Sequence, residues 1–459
     1  MPHDPADDAL RPASASRAAD LYRAVWRWHF YGGLLVLPFL ITLAVTGALY
    51  LFRDEIDAIV HAELKQVAVP QPGPNAEQPL APSMLVEAAL AAYPGQAAKF
   101  TDPARRDASA EVTVSTSSGE KLAVYVDPYD GRVLGSLPDR GTVMWTIRHL
   151  HSLRYFGPVA RALIEIAAGW SLLLVGTGLY LWWPRQNQSG LAIRGRPRHR
   201  LFWRDVHAVV GLFVGGFIVF LAVTGMPWSG VWGAKVNEWA NGSNFGYPAG
   251  LRVDVPMSGE HLHEHGSTSW SLEQARMPVS APEGASAAPI GLDAAVAVFE
   301  RLGLHPGYAV SLPTTPSGVY TASVYPDDLS RQRVVHLDQY TGKPLLDMSY
   351  ADYGPLGKAL EWGINVHMGQ EFGLANQMVL LAACLAMIAL SLSAAVMWWK
   401  RRPSGRLGVP PMPADPRVLR GLLALLALGG LLFPLVGLSL VVIAGLDWLL
   451  RRSRQQRFA

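Results

Sequence analysis

The chain is written twice, and its two copies hold histidines in register. His29 stands 18 positions before Gly47, the last residue of a Leu-Ala-Val-Thr-Gly run; His207 stands 18 positions before Gly225, which closes the identical run. His151 precedes Trp182 and Trp183 by 31 and 32 positions, and His367 precedes Trp398 and Trp399 by the same intervals. A duplicated membrane unit sets equivalent side chains about a pseudo-two-fold axis, so His29 is expected to face His207 and His151 to face His367. That makes two bis-histidine sites, one near each face of a bilayer.

At 459 residues, 50% hydrophobic and only 16% charged, the chain reads as a membrane protein of more than one domain. Phe30 to Phe52, Ala208 to Ala234 and Phe372 to Trp399 contain no acidic or basic residue, and Ile166 to Trp183 is a similar run behind Glu165. Each is near the roughly 20 helical residues that cover a hydrocarbon core of about 30 Å. Arginines set the orientation: six lie between Arg185 and Arg204 without an acid, and Lys400 to Arg420 holds six basic residues against Asp415 alone. These segments and both termini are expected in the cytoplasm, with the two long connections outside. The net charge of +3 is accounted for by the inside loops and gives no reason to expect nucleic acid.

The apolar stretch from Val418 to Leu450 is basic at both ends, and its 33 residues would make a helix about 50 Å long. It reads as a hairpin bending near Gly429-Gly430 or Pro434, for six spans in all. The expected organisation is a cytoplasmic tail (1–24), a first span (25–52), an outside domain (53–148), a second span (149–184), a basic loop (185–203) and a third span (204–234). A second outside domain (235–362), a fourth span (363–400), a loop (401–417), the hairpin (418–450) and a tail (451–459) follow. The first span lacks a small-residue cleavage site and is expected to be an uncleaved anchor. Cys384 is the only cysteine, which leaves no structural disulfide, thiolate iron–sulfur cluster or covalent haem attachment.

The outside segments repeat as well. A helix over 83–93 runs into Tyr93-Pro94-Gly95 and then alternating strands, the last ending at Asp127-Pro-Tyr129-Asp-Gly131-Arg132. A helix over 292–302 runs into His305-Pro306-Gly307 and on to Asp338-Gln-Tyr340-Thr-Gly342-Lys343. The shared D-x-Y-x-G-[KR] reads as a strand ending in a tight turn whose glycine supplies positive φ. This pattern resembles the PepSY domain. Two such domains between helices bearing Leu-Ala-Val-Thr-Gly and Trp-Trp resemble the PepSY-associated transmembrane proteins, over about residues 22 to 450. The resemblance implies an α+β membrane fold of duplicated two-helix units with PepSY-like periplasmic domains. It also implies a bacterial inner-membrane, iron-uptake protein of the siderophore-iron reductase type.

Imidazole is a good axial ligand on either side of a porphyrin, and an ionisable group within a membrane is usually functional. Four histidines in register therefore read as axial ligands of two non-covalent b haems per chain, His29 with His207 and His151 with His367. His149 lies two positions from His151, about 200° around a helix, and the repeat aligns it with Asn365, so His151 is the chosen ligand. Two filled axial positions suit electron transfer rather than oxygen activation. Trp182, Trp183, Trp398 and Trp399 read as interfacial anchors. Gly32, Gly33, Gly211, Gly215 and Gly216 suit either a macrocycle lying on the backbone or close helix packing. Glu165 is expected to pair with Arg161 one turn earlier. His261, His263 and His265, beside Glu264, have the composition of a metal-binding loop, although a solvated loop is the plainer reading.

Together these features point to a six-helix cytochrome that takes electrons from a cytoplasmic reductase or a quinol and reduces a ferric siderophore or other ferric chelate outside. Two other readings compete. PepSY modules that inhibit a periplasmic protease would leave the registered histidines idle. A divalent-metal transporter would want polar groups between the two faces, and the spans carry none in a ladder.

Overall fold

The computed structural model describes residues 13–71, 78–183, 190–240, 245–247, 280, 288–405, 407–413 and 415–455. The expected loop ligands His261, His263 and His265 lie outside them. The chain divides into two units. One comprises Met1–Ala48, His151–Gly233 and Val379–Ala459, and the other Leu49–Leu150 and Ala234–Met378.

The second unit is built on one eight-stranded antiparallel sheet ordered β4-β3-β2-β1-β5-β6-β7-β8. The first half contains β1 (Gly95–Thr101), β2 (Ala110–Thr116), β3 (Lys121–Val126) and β4 (Val133–Pro138). The second contains β5 (Ala309–Ser311), β6 (Val319–Val324), β7 (Arg333–Asp338) and β8 (Pro344–Ser349). The halves join where β1 pairs β5, with Phe100 opposite Val310. Period-two alternation sets the buried face: Ala110, Val112 and Val114 of β2 are fully buried. They pack, with Phe100, Val335 and Leu337, against Leu85 and Ala89 of the helix Pro82–Ala92 and Ala295 and Phe299 of the helix Leu292–Arg301. The two helices are tied by Ser83, whose amide and hydroxyl donate to Asp293 at 2.8 and 2.6 Å.

The D-x-Y-x-G segments are hairpins into a further strand rather than the end of each sheet half, a correction to the sequence reading. The Gly131 amide donates to the Asp127 carbonyl and the Gly342 amide to that of Asp338, at 3.0 and 2.9 Å. Both glycines have positive φ, 75° and 68°. The aspartate carboxylates accept the amides of Tyr129 and Tyr340, each at 2.9 Å, which closes the turns.

Asp102, just after β1, has its carboxyl pushed up to about 6 by burial, against the opposing effect of the Gly307 amide that donates to it. Well below pH 3.8 the group is protonated in both folded and unfolded chain. Between there and about pH 6 the unfolded chain releases the proton while the folded chain keeps it, so stability falls as pH rises and levels off above about 6. Thermal unfolding between pH 4 and 7 should show this decline, and Asp102→Asn should flatten it.

Among the described residues, four helical segments are long and apolar enough to cross a membrane: Ala18–Tyr50, Arg154–Trp182, Arg200–Trp228 and Gly373–Arg401. The expected hairpin is present, broken at Phe433 between Pro416–Leu432 and Pro434–Gln455. Proline at 434 supplies no amide to continue the first helix. A Cβ on Gly430 would lie 2.6 Å from the Gly437 Cα, so only glycine permits so close a reversal. The first arm, 17 residues, is about 25 Å long and the second, 22 residues, about 33 Å.

The second and fourth spans also begin later than expected. The helix Val143–His151 stops at the histidine; Leu153 takes φ 53° and Gly157 φ 82° before the long helix starts. In the second copy the helix Pro355–His367 stops at its histidine, and Gly369 and Gly373 take φ 79° and 57°. Both histidines thus close a short helix outside the span.

Candidate functional site

His29, on the helix Ala13–Tyr50, and His207, on the helix Arg200–Gly225, come together as the first register pair predicts. Their rings are 6.4 Å apart between centroids and nearly perpendicular, at 88°. The Nδ1 of His29 lies 2.9 Å from the Thr177 hydroxyl. The Nδ1 of His207 lies 3.1 Å from the Leu390 carbonyl and 3.3 Å from the Ser393 hydroxyl. Thr177 and Ser393 are separated by 216 positions, the same offset as His151 and His367. The repeat that aligns the ligand candidates therefore aligns their hydroxyl partners too. Sequence reading missed these two residues, although that offset was the signal that finds them.

Both imidazoles line a cavity of about 670 Å³. Its walls are apolar, with Leu34, Leu37, Leu174 and Leu212 among them, and Trp182 and Trp398 also line it. Each of these indoles donates to a carbonyl a few residues on, Trp182 to Gly190 and Trp398 to Leu407, both at 2.9 Å. A Cβ on Gly32 would strike Trp170 at 2.7 Å, so Gly32 serves helix packing. Gly33 and Gly211 line the cavity; a Cβ on Gly33 would enter open space and one on Gly211 would lie 3.3 Å from Leu390.

Four arginines, Arg194, Arg200, Arg204 and Arg401, also line it. Asp205 accepts from two of them, Arg194 Nε at 2.9 Å and an Arg204 terminal nitrogen at 2.7 Å. The remaining positive charge suits a carboxylate-bearing ligand, because guanidinium forks match carboxylates. The Ser391 hydroxyl, buried on the same wall, has no hydrogen-bond partner among the described residues.

A haem fits this donor set. Two imidazoles bound on opposite sides of one iron through metal–nitrogen bonds of roughly 2 Å would set their centroids about 6 Å apart. A cavity in the range of about 300–1,000 Å³ with apolar walls and a few convergent polar groups is typical of cofactor sites.

In the second pair, the Nδ1 of His151 lies 2.8 Å from the hydroxyl of Thr46, the threonine of the first Leu-Ala-Val-Thr-Gly run. Gly47 packs under the ring: a Cβ there would lie 3.5 Å from the His151 Cε1. His367 closes the corresponding helix in the other unit, so its pairing with His151 is carried by repeat register. His149 lies against Trp145, with ring centroids 6.0 Å apart and planes tilted by 60°.

Glu165 is buried, and its carboxylate accepts the amides of Val231 and Trp232 at 2.8 and 3.3 Å. The carboxylate thereby holds the first turn of the helix Val231–Ala240, whose unpaired amides attract an anion. The third span correspondingly ends at Trp228, six residues before the Ala234 read from sequence.

The model of the PepSY-associated TM region matches residues 26–401. The chain belongs to the PepSY-associated transmembrane family. It is a multi-pass membrane protein, and the match covers the two Leu-Ala-Val-Thr-Gly runs, both Trp-Trp pairs and all four registered histidines. A search among proteins of curated function found no relative matching this member of the family.

Proposed function

We propose that this PepSY-associated membrane protein is a di-haem b-type cytochrome of a bacterial inner membrane that reduces ferric siderophores or other ferric chelates on the periplasmic side. The observation that carries the reading is the His29–His207 pair, 6.4 Å apart in an apolar cavity bordered by arginines. A haem supplies a one-electron Fe(III)/Fe(II) couple. His29 and His207 would hold its iron, the leucine walls would keep water from it, and the arginines would pair with its carboxylates. By register, His151 and His367 would hold the second haem toward the outside.

The arginine-rich loops favour a cytoplasmic side for the first pair, where a cytoplasmic reductase or a quinol would be the electron donor. The two halves of the eight-stranded sheet would be the two PepSY-like copies, projecting into the periplasm. Reduction releases the metal because Fe(II) is held more weakly than Fe(III) by hard oxygen ligands.

The test is a visible spectrum of the purified full chain, oxidised and dithionite-reduced, with haem counted per chain. About two acid-extractable b haems are expected. A colourless protein from cells well supplied with haem would overturn the reading.

A further inference from the structure

Three of the four histidines share one device. Thr177 Oγ1 lies 2.8 Å from the Leu173 carbonyl of its own helix, and Thr46 Oγ1 lies 2.6 Å from the Thr42 carbonyl. A hydroxyl has one proton, and in both residues it is donated to the preceding turn. Toward the imidazole each oxygen can then act only as acceptor, so the Nδ1 of His29 and of His151 must carry a proton. At His207 the conclusion needs no such step. Its nearer Nδ1 partner is the Leu390 carbonyl, which accepts and never donates, and Ser393 Oγ likewise donates to that carbonyl at 2.7 Å. Neutral imidazole carries one N–H, so Nε2 is left as a bare lone pair in all three rings. Among the described residues nothing hydrogen-bonds those Nε2 atoms.

We propose that Thr177, Ser393 and Thr46 are positioning residues: with the Leu390 carbonyl, they hold His29, His207 and His151 in the tautomer whose Nε2 is the metal-binding atom. This rests on the haem reading above and adds to it the tautomer, the ligating atom and the residues that set both. A bond from Nδ1–H also makes the ring more electron-donating, which favours Fe(III) over Fe(II). The hydroxyls thereby hold the potential of each haem down. Placing them on the membrane helices fixes the ring orientation from a rigid support, and the 216-position offset between Thr177 and Ser393 gives both imidazoles of the first pair equivalent partners.

The experiment compares the haem-loaded full chain with Thr177→Val, which keeps the branched shape without the hydroxyl. The variant should bind the first haem about 10–100-fold more weakly, with a raised midpoint potential for that haem alone, and Thr177→Ser should restore both values. Thr46→Val should move the other haem. Ser393→Ala should have a smaller effect, because the Leu390 carbonyl still accepts from His207.

A wild type that holds haem, beside a Thr177→Val protein with unchanged affinity and potential, would overturn the proposal while leaving the haem reading intact. Nitrogen NMR of the haem-free full chain labelled with [15N]histidine decides the tautomer whether or not a variant folds or haem binds. Protonated Nδ1 at His29, His151 and His207 supports the proposal, and protonated Nε2 there overturns it.

Discussion

Replacing His29 with Ala should release one of the two haems and leave the other, and His207→Ala should have the same effect. The double variant should lose no more than either single one. Two residues that hold one iron are coupled, so their effects do not add. Separate sites would add, and the double variant would then be empty. His151→Ala and His367→Ala should behave as a second such pair, so that combining one variant from each pair removes all haem. His149→Ala should leave occupancy nearly intact, since its ring lies against Trp145 while His151 is the one bonded to Thr46. The measurement is haem per chain by alkaline pyridine spectra, with the folded state checked by thermal unfolding. Single variants at His29 and His207 that keep both haems, or a double variant that loses two, would remove the basis for the first site.

The doubling was legible because it is a property of order along the chain. Equal spacings carried His29, His207, His151 and His367 before any coordinates, and the His29–His207 pair met as the spacing required. The helix breaks were not legible in the same way. Leu153 adopts positive φ, and nothing about leucine announces that, because a side chain with a Cβ rarely takes that conformation. Gly157 and Gly373 looked like ordinary glycines at the start of apolar runs.

The strands β4 and β8 were overlooked because the D-x-Y-x-G turns were read as terminators. Val133–Pro138 contains Gly, Ser and Pro, and Pro344–Ser349 contains Pro and Ser, which weaken the strand pattern at a sheet edge. The Glu165 carboxylate also accepts amides 66 and 67 positions along the chain. Such a pairing has no local signature. Thr177 and Ser393 differ in residue type, and only their common offset from the histidines links them.

Mixing dithionite-reduced protein with ferric siderophores should reoxidise the haem and yield Fe(II), captured by a ferrous-specific dye. This is the larger claim, since it concerns an acceptor rather than a cofactor. One electron leaves haem iron, which returns to Fe(III), and enters the chelated Fe(III), which becomes Fe(II) and dissociates from its hard oxygen ligands. If the electron leaves from the pair nearest the periplasm, His151→Ala and His367→Ala should reduce the rate to that of free dye and chelate, while the haem at His29 and His207 still accepts electrons from dithionite. His29→Ala should leave exchange from the second haem to the chelate intact in this assay, yet stop it when electrons are supplied only from the cytoplasmic face of sealed vesicles. The contrast between the two assays assigns an order to the sites that neither gives alone. Haem that stays reduced across a broad panel of ferric chelates would leave the cofactor assignment standing and require a different acceptor, because the ligands define the couple while only the exchange defines the substrate.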